Sequence, residues 1–371
     1  MASSILQSSI FCGMRMMSNT EPRKLSSPCL ILPSSYEAGY KKLYSLAEKK
    51  VVSIDKAAPP PLWAQGGRVR HIGCSRGWVT SFDRDSGQAF LFDPITGCHI
   101  KLPDTATWPT DIILSSSSPD SHDCRAIIQY DHLCRVAVCS PARADAGWLP
   151  VCGEGPHSAI GYSARQNRLY SLNNTWDSDF VLECWDLEYP SSLVWKAEFH
   201  SFHGYEEAWG RHCLRYLVID EHSDRLFLVI RVVVVWLEDE DDVREYEDED
   251  EEGKYDEDED ETLRFHVYEI DSKKGEMRYM EGSLEGLAMF VGLRHSFALP
   301  AADLNLSPDS IYFTARLRYI LFDDVRNDDI GIYNYKDGKI SSIDYDPSQI
   351  YATTAASRVA PAMLLTPNIP H

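Results

Sequence analysis

Short runs of alternating apolar and polar residues, separated by turn-forming residues, recur along most of the chain. The stretch LFDPITGCHIKLPD, from Leu91 to Asp104, contains a short apolar run, a turn with Pro94 and Gly97, and a second alternating run. Alternation with a period of two is typical of a half-buried β-strand, and a glycine in the turn supplies the positive φ that tight hairpins need. Five other stretches share this design, and the pattern therefore predicts six β-hairpins. The other five begin at Leu43, Val136, Cys184, Val267 and Ile332.

The spacing of these hairpins indicates a structural repeat. The first four begin at residues 43, 91, 136 and 184, at intervals of 48, 45 and 48 residues. A four-stranded propeller blade occupies about 40 to 50 residues, and further strand-like runs precede the hairpins. No long segment shows the period of an amphipathic helix. We therefore expect an all-β fold, a β-propeller of six or seven four-stranded blades, in which the longer late intervals reflect loop insertions or a further blade.

The ends of the predicted propeller are short apolar runs flanked by prolines: PCLILPSS from Pro28 and APAMLLTPNIPH from Ala360. Such runs suit terminal strands, because proline cannot donate to a ladder. We hypothesise that one end supplies an outer strand to a blade begun by the other. The propeller domain would then span residues 28–371.

Residues 1–27 form a leader that is rich in serine and has no acidic residue before Glu21. This composition suits an organellar transit peptide, and the alternative is a disordered leader. The first interpretation predicts a location in the mitochondrion or another organelle; the second is compatible with the cytoplasm or nucleus.

One segment carries most of the net charge of -21. Between Glu238 and Glu261 there are eighteen acidic and two basic residues, a net charge of -16, which leaves -5 for the rest of the chain. This run predicts an acidic, disordered loop inserted between two blade strands. Nucleic acid is not an expected partner, because phosphate affinity comes mostly from Lys and Arg. No membrane association is expected either, because the longest apolar run, Leu226 to Leu237, contains Arg231 and is shorter than the roughly 20 residues of a membrane helix.

The stretch GCSRG, from Gly73 to Gly77, fits the G-x-S-x-G pattern of a hydrolase nucleophile elbow. That elbow holds its serine on a turn between a strand and a helix, whereas Ser75 is followed by WVTSFD, which alternates like a strand. We therefore interpret the glycines as residues that let a blade strand turn and pack closely, and expect no nucleophile at Ser75.

Two other stretches contain metal-binding residue types. Asp248 to Glu259 nearly fits a calcium loop, with Gly253 at the sixth position and Glu259 at the twelfth, but such a match is expected by chance in so acidic a run. Two H-x-C pairs could be drawn as a zinc site on strands, although the usual finger spacings are absent. We expect no catalytic, cofactor-binding or metal-binding residues and no cofactor. The two pairs are His122 with Cys124 and His132 with Cys134.

An ordered set of motifs resembles the plant F-box-associated β-propeller family of the KIB type, a domain of unknown function. The resemblance spans Pro28 to Ile369 and rests on CLILP, LYSLAEKKVVSI, GCSRGWVTSFD, LFDPITGCHIKLP, VGLRHSFALPAADL, SIYFT, DIGIYNYKDGKI and LLTPNI. It implies a propeller that recruits partner proteins and, where an F-box precedes it, a substrate receptor of a cullin-type ubiquitin ligase.

The chain departs from the F-box pattern. An F-box is a three-helix module of about forty to fifty residues, and 27 residues stand before Pro28. The chain therefore resembles the branch of the family that has no F-box and looks organelle-targeted. The segment ARLRYILF, from Ala315 to Phe322, also departs, because acidic residues usually follow SIYFT directly in the family.

We expect a non-enzymatic module that binds one or more proteins and is itself a monomer. Five tryptophans lie inside alternating runs and are expected in the core and at blade contacts rather than on a base-stacking platform. The alternative functions are a substrate-recruiting subunit related to F-box ligase receptors and, less favoured, a propeller hydrolase. The tryptophans are Trp78, Trp148, Trp185, Trp195 and Trp236.

Overall fold

Strands dominate the structure, a computed structural model, and the predicted all-β fold is confirmed. The residues that it describes are 27–31, 42–53, 69–83, 85–105, 107–130, 135–151, 157–174, 180–188, 192–199, 212–234, 261–272, 274–292, 295–314, 330–343 and 363–365. Within these ranges the chain forms strands β1 to β25 in five sheets, and two short 3-10 helices, Pro141–Ala146 and Ala302–Leu304.

Four of the sheets have four strands each, and they follow one another along the chain. Sheet I contains β1 (Cys29–Ile31), β2 (Lys42–Ser45) and β3 (Lys50–Ser53). Sheet II contains β4 (Val69–Ser75), β5 (Trp78–Asp83), β6 (Gln88–Phe92) and β7 (His99–Lys101). Sheet III contains β8 (Pro109–Leu114), β9 (Ala126–Tyr130), β10 (Arg135–Cys139) and β11 (Leu149–Pro150). Sheet IV contains β12 (His157–Ser163), β13 (Arg168–Asn174), β14 (Phe180–Asp186) and β15 (Leu193–Phe199).

Sheet V has nine strands. They are β16 (His212–Asp220), β17 (Leu226–Val234), β18 (Glu261–Asp271), β19 (Glu276–Tyr279), β20 (Leu287–Val291), β21 (Phe297–Pro300), β22 (Ser310–Phe313), β23 (Gly331–Asn334) and β24 (Ile340–Ser341). The last strand of the chain, β25 (Met363–Leu365), is the fourth strand of sheet I.

The order of strands and their contacts are those of a β-propeller. In sheets II, III and IV the four strands pair in chain order, each antiparallel to the next. The first strands of neighbouring sheets contact one another, as β4 does with β8 and β12 with β16. We call the edge of each sheet at which these contacts lie the inner edge, and the opposite edge the outer edge. The apolar side chains between neighbouring sheets form continuous clusters, for example between sheets II and III around Leu91 and Ile112 and between sheets III and IV around Val138 and Trp185.

All six predicted hairpins are confirmed, and each forms an outer edge of its sheet. They are the pairs β2–β3, β6–β7, β10–β11, β14–β15, β18–β19 and β23–β24. In the stretch LFDPITGCHIKLPD, Leu91 pairs with Ile100, and Gly97 has a φ of 73°. The predicted number of six or seven blades stays a prediction.

Sheet V explains why the late hairpins are spaced more widely. The extra hairpin β20–β21 stands before β22, and β20 pairs with β22 in parallel. Strand β21 also pairs in parallel with β16 through Ile219 and Phe297, which joins two sets of strands into one sheet. The acidic segment lies between β17 and β18, which pair with each other as far as Val234 and Glu261. Residues 235–260 lie outside the described residues.

The two ends of the chain meet in sheet I, although not in the predicted arrangement. Strand β25 pairs with β1, and Leu30 lies opposite Leu364. The outer edge of the sheet is β3, whereas β25 lies at the inner edge and contacts β4. The C-terminal segment therefore supplies an inner strand rather than an outer one, because β2 already pairs with β1 on its other side. The leader, up to residue 26, lies outside the described residues.

Candidate functional site

The GCSRG stretch ends β4 and turns directly into β5. Ser75, the last residue of β4, pairs with Trp78, the first residue of β5. Arg76 and Gly77 form the turn with φ values of 48° and 85°. Both values lie in the left-handed region, which glycine adopts freely and arginine adopts at a cost in free energy. The serine thus stands between two strands, whereas a nucleophile elbow stands between a strand and a helix.

Ser75 is fully buried and contacts residues at the ends of strands in sheets III and V. Its Oγ accepts a hydrogen bond from the backbone N–H of Leu114 at 2.9 Å and lies 3.5 Å from Nδ1 of His295. Leu114 is the last residue of the inner strand β8, and His295 precedes β21. This Ser–His contact was not predicted from the sequence, because 220 residues separate the two side chains.

The environment of His295 does not favour general-base chemistry. Burial, and secondarily the positive charge of Arg76, lower the pKa of His295 to about 3. The imidazole is therefore neutral near pH 7, and a base of so low a pKa takes a proton from a serine hydroxyl poorly. The contact is best explained as a polar link between β4 and sheet V.

Arg76 bonds residues of two other sheets. Its Nε donates to the backbone oxygen of Leu114 at 3.0 Å, and its Nη2 donates to both carboxylate oxygens of Glu221 at 3.0 and 3.2 Å. The two side chains are only 8% and 7% exposed. Glu221 follows directly after the inner strand β16, so the ion pair joins sheet II to sheet V, with sheet III bonded to the same arginine. We call Ser75, Arg76, Leu114, Glu221 and His295 the inner-strand cluster.

Sheet IV is tied to sheet V next to this cluster. Ser163, the last residue of β12, donates its hydroxyl to Asp224. Arg165 donates from Nη2 to the backbone oxygen of His222 at 2.7 Å. The inner-strand ends of sheets II to V are thus connected by hydrogen bonds, and the side chains form two separate pairs, Arg76 with Glu221 and Ser163 with Asp224. This arrangement can fix the sheets relative to each other.

The metal-binding candidates are only partly within the described residues. His122 is exposed on the loop between β8 and β9, whereas Cys124 is buried and its Sγ contacts the backbone oxygen of Ser116 at 3.7 Å. Burial raises the pKa of the Cys124 thiol, which disfavours the thiolate that binds zinc. His132, Cys134 and the stretch from Asp248 to Glu259 lie outside the described residues. Within the described ranges, no group of three or more His, Cys, Asp or Glu side chains is placed to hold a metal ion.

The predicted positions of four tryptophans are confirmed, and the fifth lies outside the described residues. Trp185 is buried, and Trp78, Trp148 and Trp195 are partly buried against the core clusters. Trp236 is outside the described residues.

Several large apolar side chains are nevertheless exposed, mostly on outer strands, and the sequence analysis did not single them out. An alternating run shows which residues share a face but not which face remains uncovered. The exposed residues are Val51, Trp108, Leu149, Leu193, Val194 and Ile340.

Comparison with protein families gives a propeller family. A family model described as the KIB1-4 beta-propeller matches residues 43–334. Among solved structures, the β-propeller domain of Cps50 (Swd1) from Myceliophteria thermophila is 9% identical, with a TM-score of 0.34 over 71% of this chain and 68% of that chain. A protein of unknown function from Bacteroides thetaiotaomicron VPI-5482 is 12% identical, with a TM-score of 0.34 over 72% of this chain and 57% of that chain, less than two thirds of its length. A search of curated proteins gave no match.

Among the described residues, no helix is long and apolar enough to cross a membrane.

Proposed function

We propose, since the chain belongs to the KIB1-4 β-propeller family, that it is a non-enzymatic module that binds other proteins. The observation that carries this proposal is the exposure of large apolar side chains on the outer strands, among them Leu149, Leu193 and Val194. Adjacent exposed apolar residues on a rigid scaffold, such as Leu193 and Val194 on β15, are more typical of a protein-binding site than single ones.

The inner-strand cluster supports the non-enzymatic part of the proposal. A propeller enzyme would need polar groups free to act on a substrate where the inner strands converge. Here the Arg76 guanidinium is committed to Glu221 and Leu114, and Ser75 is buried beside a histidine of low pKa. The cluster therefore serves stability better than catalysis.

Affinity purification tests the proposal. The full chain, tagged at its C-terminus and expressed in its native cells, should retain specific proteins that mass spectrometry identifies. The most enriched of them should form a complex with the purified chain in size-exclusion chromatography. Failure of every enriched protein to form a complex would contradict the proposal. Recovery of cullin-ligase subunits would instead favour the ligase-receptor function.

A chemical probe tests the non-enzymatic part. A fluorophosphonate that reacts with activated serines should label the wild-type chain no more than the Ser75→Ala variant. Labelling that disappears in Ser75→Ala would show that Ser75 is an activated nucleophile and would favour the hydrolase function.

A further inference from the structure

The sheets follow one another around a closed ring. Buried apolar clusters join sheet II to sheet III, sheet III to sheet IV, and sheet IV to strands β16 to β19 of sheet V. Strands β16 to β19 pack in turn against strands β20 to β24 of the same sheet, which pack against sheet I. Strand β25 of sheet I contacts β4 of sheet II and completes the ring. We call the space that the inner edges enclose the centre of the ring.

The ion pair between Arg76 and Glu221 joins opposite sides of this ring. Arg76 belongs to sheet II, and Glu221 follows β16. Three steps separate sheet II from strands β16 to β19 in one direction, through sheets III and IV, and three in the other, through sheet I and strands β20 to β24. Members on opposite sides of a ring face each other across its centre. Nη2 of Arg76, which lies 3.0 and 3.2 Å from the two carboxylate oxygens of Glu221, therefore reaches them across the centre.

The other members of the inner-strand cluster fill the same place. Oγ of Ser75 lies 2.9 Å from the backbone nitrogen of Leu114 and 3.5 Å from Nδ1 of His295. Sheets II and III and both parts of sheet V thus contribute to one set of contacts. Ser75 and Leu114 are fully buried, and the side chains of Arg76 and Glu221 are 8% and 7% exposed. Surface so little exposed leaves no open passage for water between these residues.

The inner strands approach one another closely on one side of the ring, so that few side chains suffice to fill its centre. Strands β16 and β21 pair directly, with Ile219 opposite Phe297, and paired strands lie only about 4.8 Å apart. On β12, a Cβ added at Gly161 would lie 3.2 Å from Cβ of Leu217 on β16. Glycine at such a position lets two strands approach more closely than a larger residue would. A centre bounded in this way is narrow enough for one arginine and one glutamate to span it.

We propose that the inner-strand cluster closes the centre of the ring to solutes at the end where β4, β8 and β16 end, with the Arg76–Glu221 pair as the bar across the opening. A solute, or a loop of a partner protein, therefore cannot enter the ring from this end. The inference goes beyond the proposed function and does not rest on it, because closure is a property of the ring alone.

Closure of the centre and simple stabilisation of the sheets predict different effects of side-chain size. Arg76→Ala with Glu221→Ala removes both charges and most of the bulk, and it should open the centre. Arg76→Met with Glu221→Leu removes both charges but keeps the bulk, and it is the matched control that should leave the centre closed. Neither double variant leaves an unpaired buried charge. If the cluster only linked the sheets, the two double variants would behave alike, because they lose the same ion pair.

A thiol placed in the cluster by Ser75→Cys reports access to the centre. Its alkylation by iodoacetamide is compared, by tandem mass spectrometry of the same peptide, with that of native Cys74, which is 4% exposed. Successive residues of a strand point to opposite faces, so Cys74 reports unfolding of β4 rather than access to the cluster. With Ser75→Cys alone, both thiols should react slowly, at rates within about threefold of each other.

The two double variants are then combined with Ser75→Cys. With Arg76→Ala and Glu221→Ala, the introduced thiol should react at least tenfold faster than Cys74, at a rate that low urea concentrations do not change. With Arg76→Met and Glu221→Leu, the two rates should stay within about threefold. Three results would each overturn the inference: a rate ratio that the alanine variant leaves unchanged, equal opening by both double variants, or an introduced thiol that already reacts tenfold faster while the ion pair is intact.

Hydrogen exchange of the wild-type chain tests closure even if these variants do not fold. The backbone N–H of Leu114, which donates to Oγ of Ser75, should exchange as slowly as the slowest amides of β9, the strand that pairs with β8. An amide in a closed centre exchanges only when the surrounding sheets open. Exchange of the Leu114 N–H at least tenfold faster than that of the β9 amides would contradict closure.

Discussion

The buried ion pair between Arg76 and Glu221 allows a quantitative prediction for stability. Both side chains are nearly inaccessible to water, and Arg76 bonds both carboxylate oxygens of Glu221. Removing one partner of such a pair leaves an uncompensated buried charge, which typically costs about 3 to 5 kcal/mol. Arg76→Met and Glu221→Leu should therefore each lower the free energy of unfolding by about that amount. The double variant should cost less than either single variant, because it leaves no unpaired charge.

Urea unfolding followed by tryptophan fluorescence measures these differences. A matched control is Arg168→Met, which removes an ion pair with Asp186 whose side chains are 29% and 18% exposed. Because water screens such a pair, its loss should cost about 1 kcal/mol or less. Equal effects of Arg76→Met and Arg168→Met, or a double variant whose cost is the sum of the two single variants, would refute the assignment of the inner-strand cluster as a structural link.

Three further predictions concern the fold. His295 has its pKa lowered from 6.5 to about 3 by burial and Arg76, so below pH 6.5 the unfolded chain takes up a proton that the folded chain does not. Stability should therefore fall as the pH drops from 6.5 toward 3, by about 2 kcal/mol at pH 5, and urea unfolding at pH 8 and pH 5 should show this loss in the wild type but not in His295→Gln. Deleting residues 360–371 removes β25 and its pairing with β1, which should cost about 2 to 4 kcal/mol for the lost backbone hydrogen bonds; an unchanged melting temperature in calorimetry would contradict the closure of sheet I. Gly331→Ala would place a Cβ 2.6 Å from Cζ of Phe313, and this overpacking should cost about 1 to 3 kcal/mol, whereas a variant as stable as the wild type would show that Phe313 can move aside.

The hairpins could be predicted because their signals are local. In Leu91 to Asp104 the alternation of apolar residues and the glycine at positive φ lie within one short stretch, and the structure pairs Leu91 with Ile100 as that pattern requires. The parallel pairing of β20 with β22 and of β16 with β21 could not be predicted in this way. Such pairings join strands that do not follow each other along the chain, and alternation does not specify the partner of a strand.

The same distinction separates what was predicted of the candidate site from what was not. The GCSRG stretch was recognised as a turn between strands, but its contacts with Leu114, Glu221 and His295 come from other sheets. The exposed apolar surface depends on which side chains of the outer strands remain uncovered, as Leu149 and Leu193 do. Neither the contacts between sheets nor the exposure of outer side chains can be predicted from the local pattern of apolar and polar residues.

Isothermal titration calorimetry of the purified chain with its most enriched partner tests the central claim, that this propeller acts by binding protein, most directly. We predict a saturable complex of one stoichiometry that the Leu149→Glu, Leu193→Glu variant loses, with the partner recovered chemically unchanged. A partner that gives no binding heat, or that is recovered cleaved or modified by the chain alone, would contradict the claim.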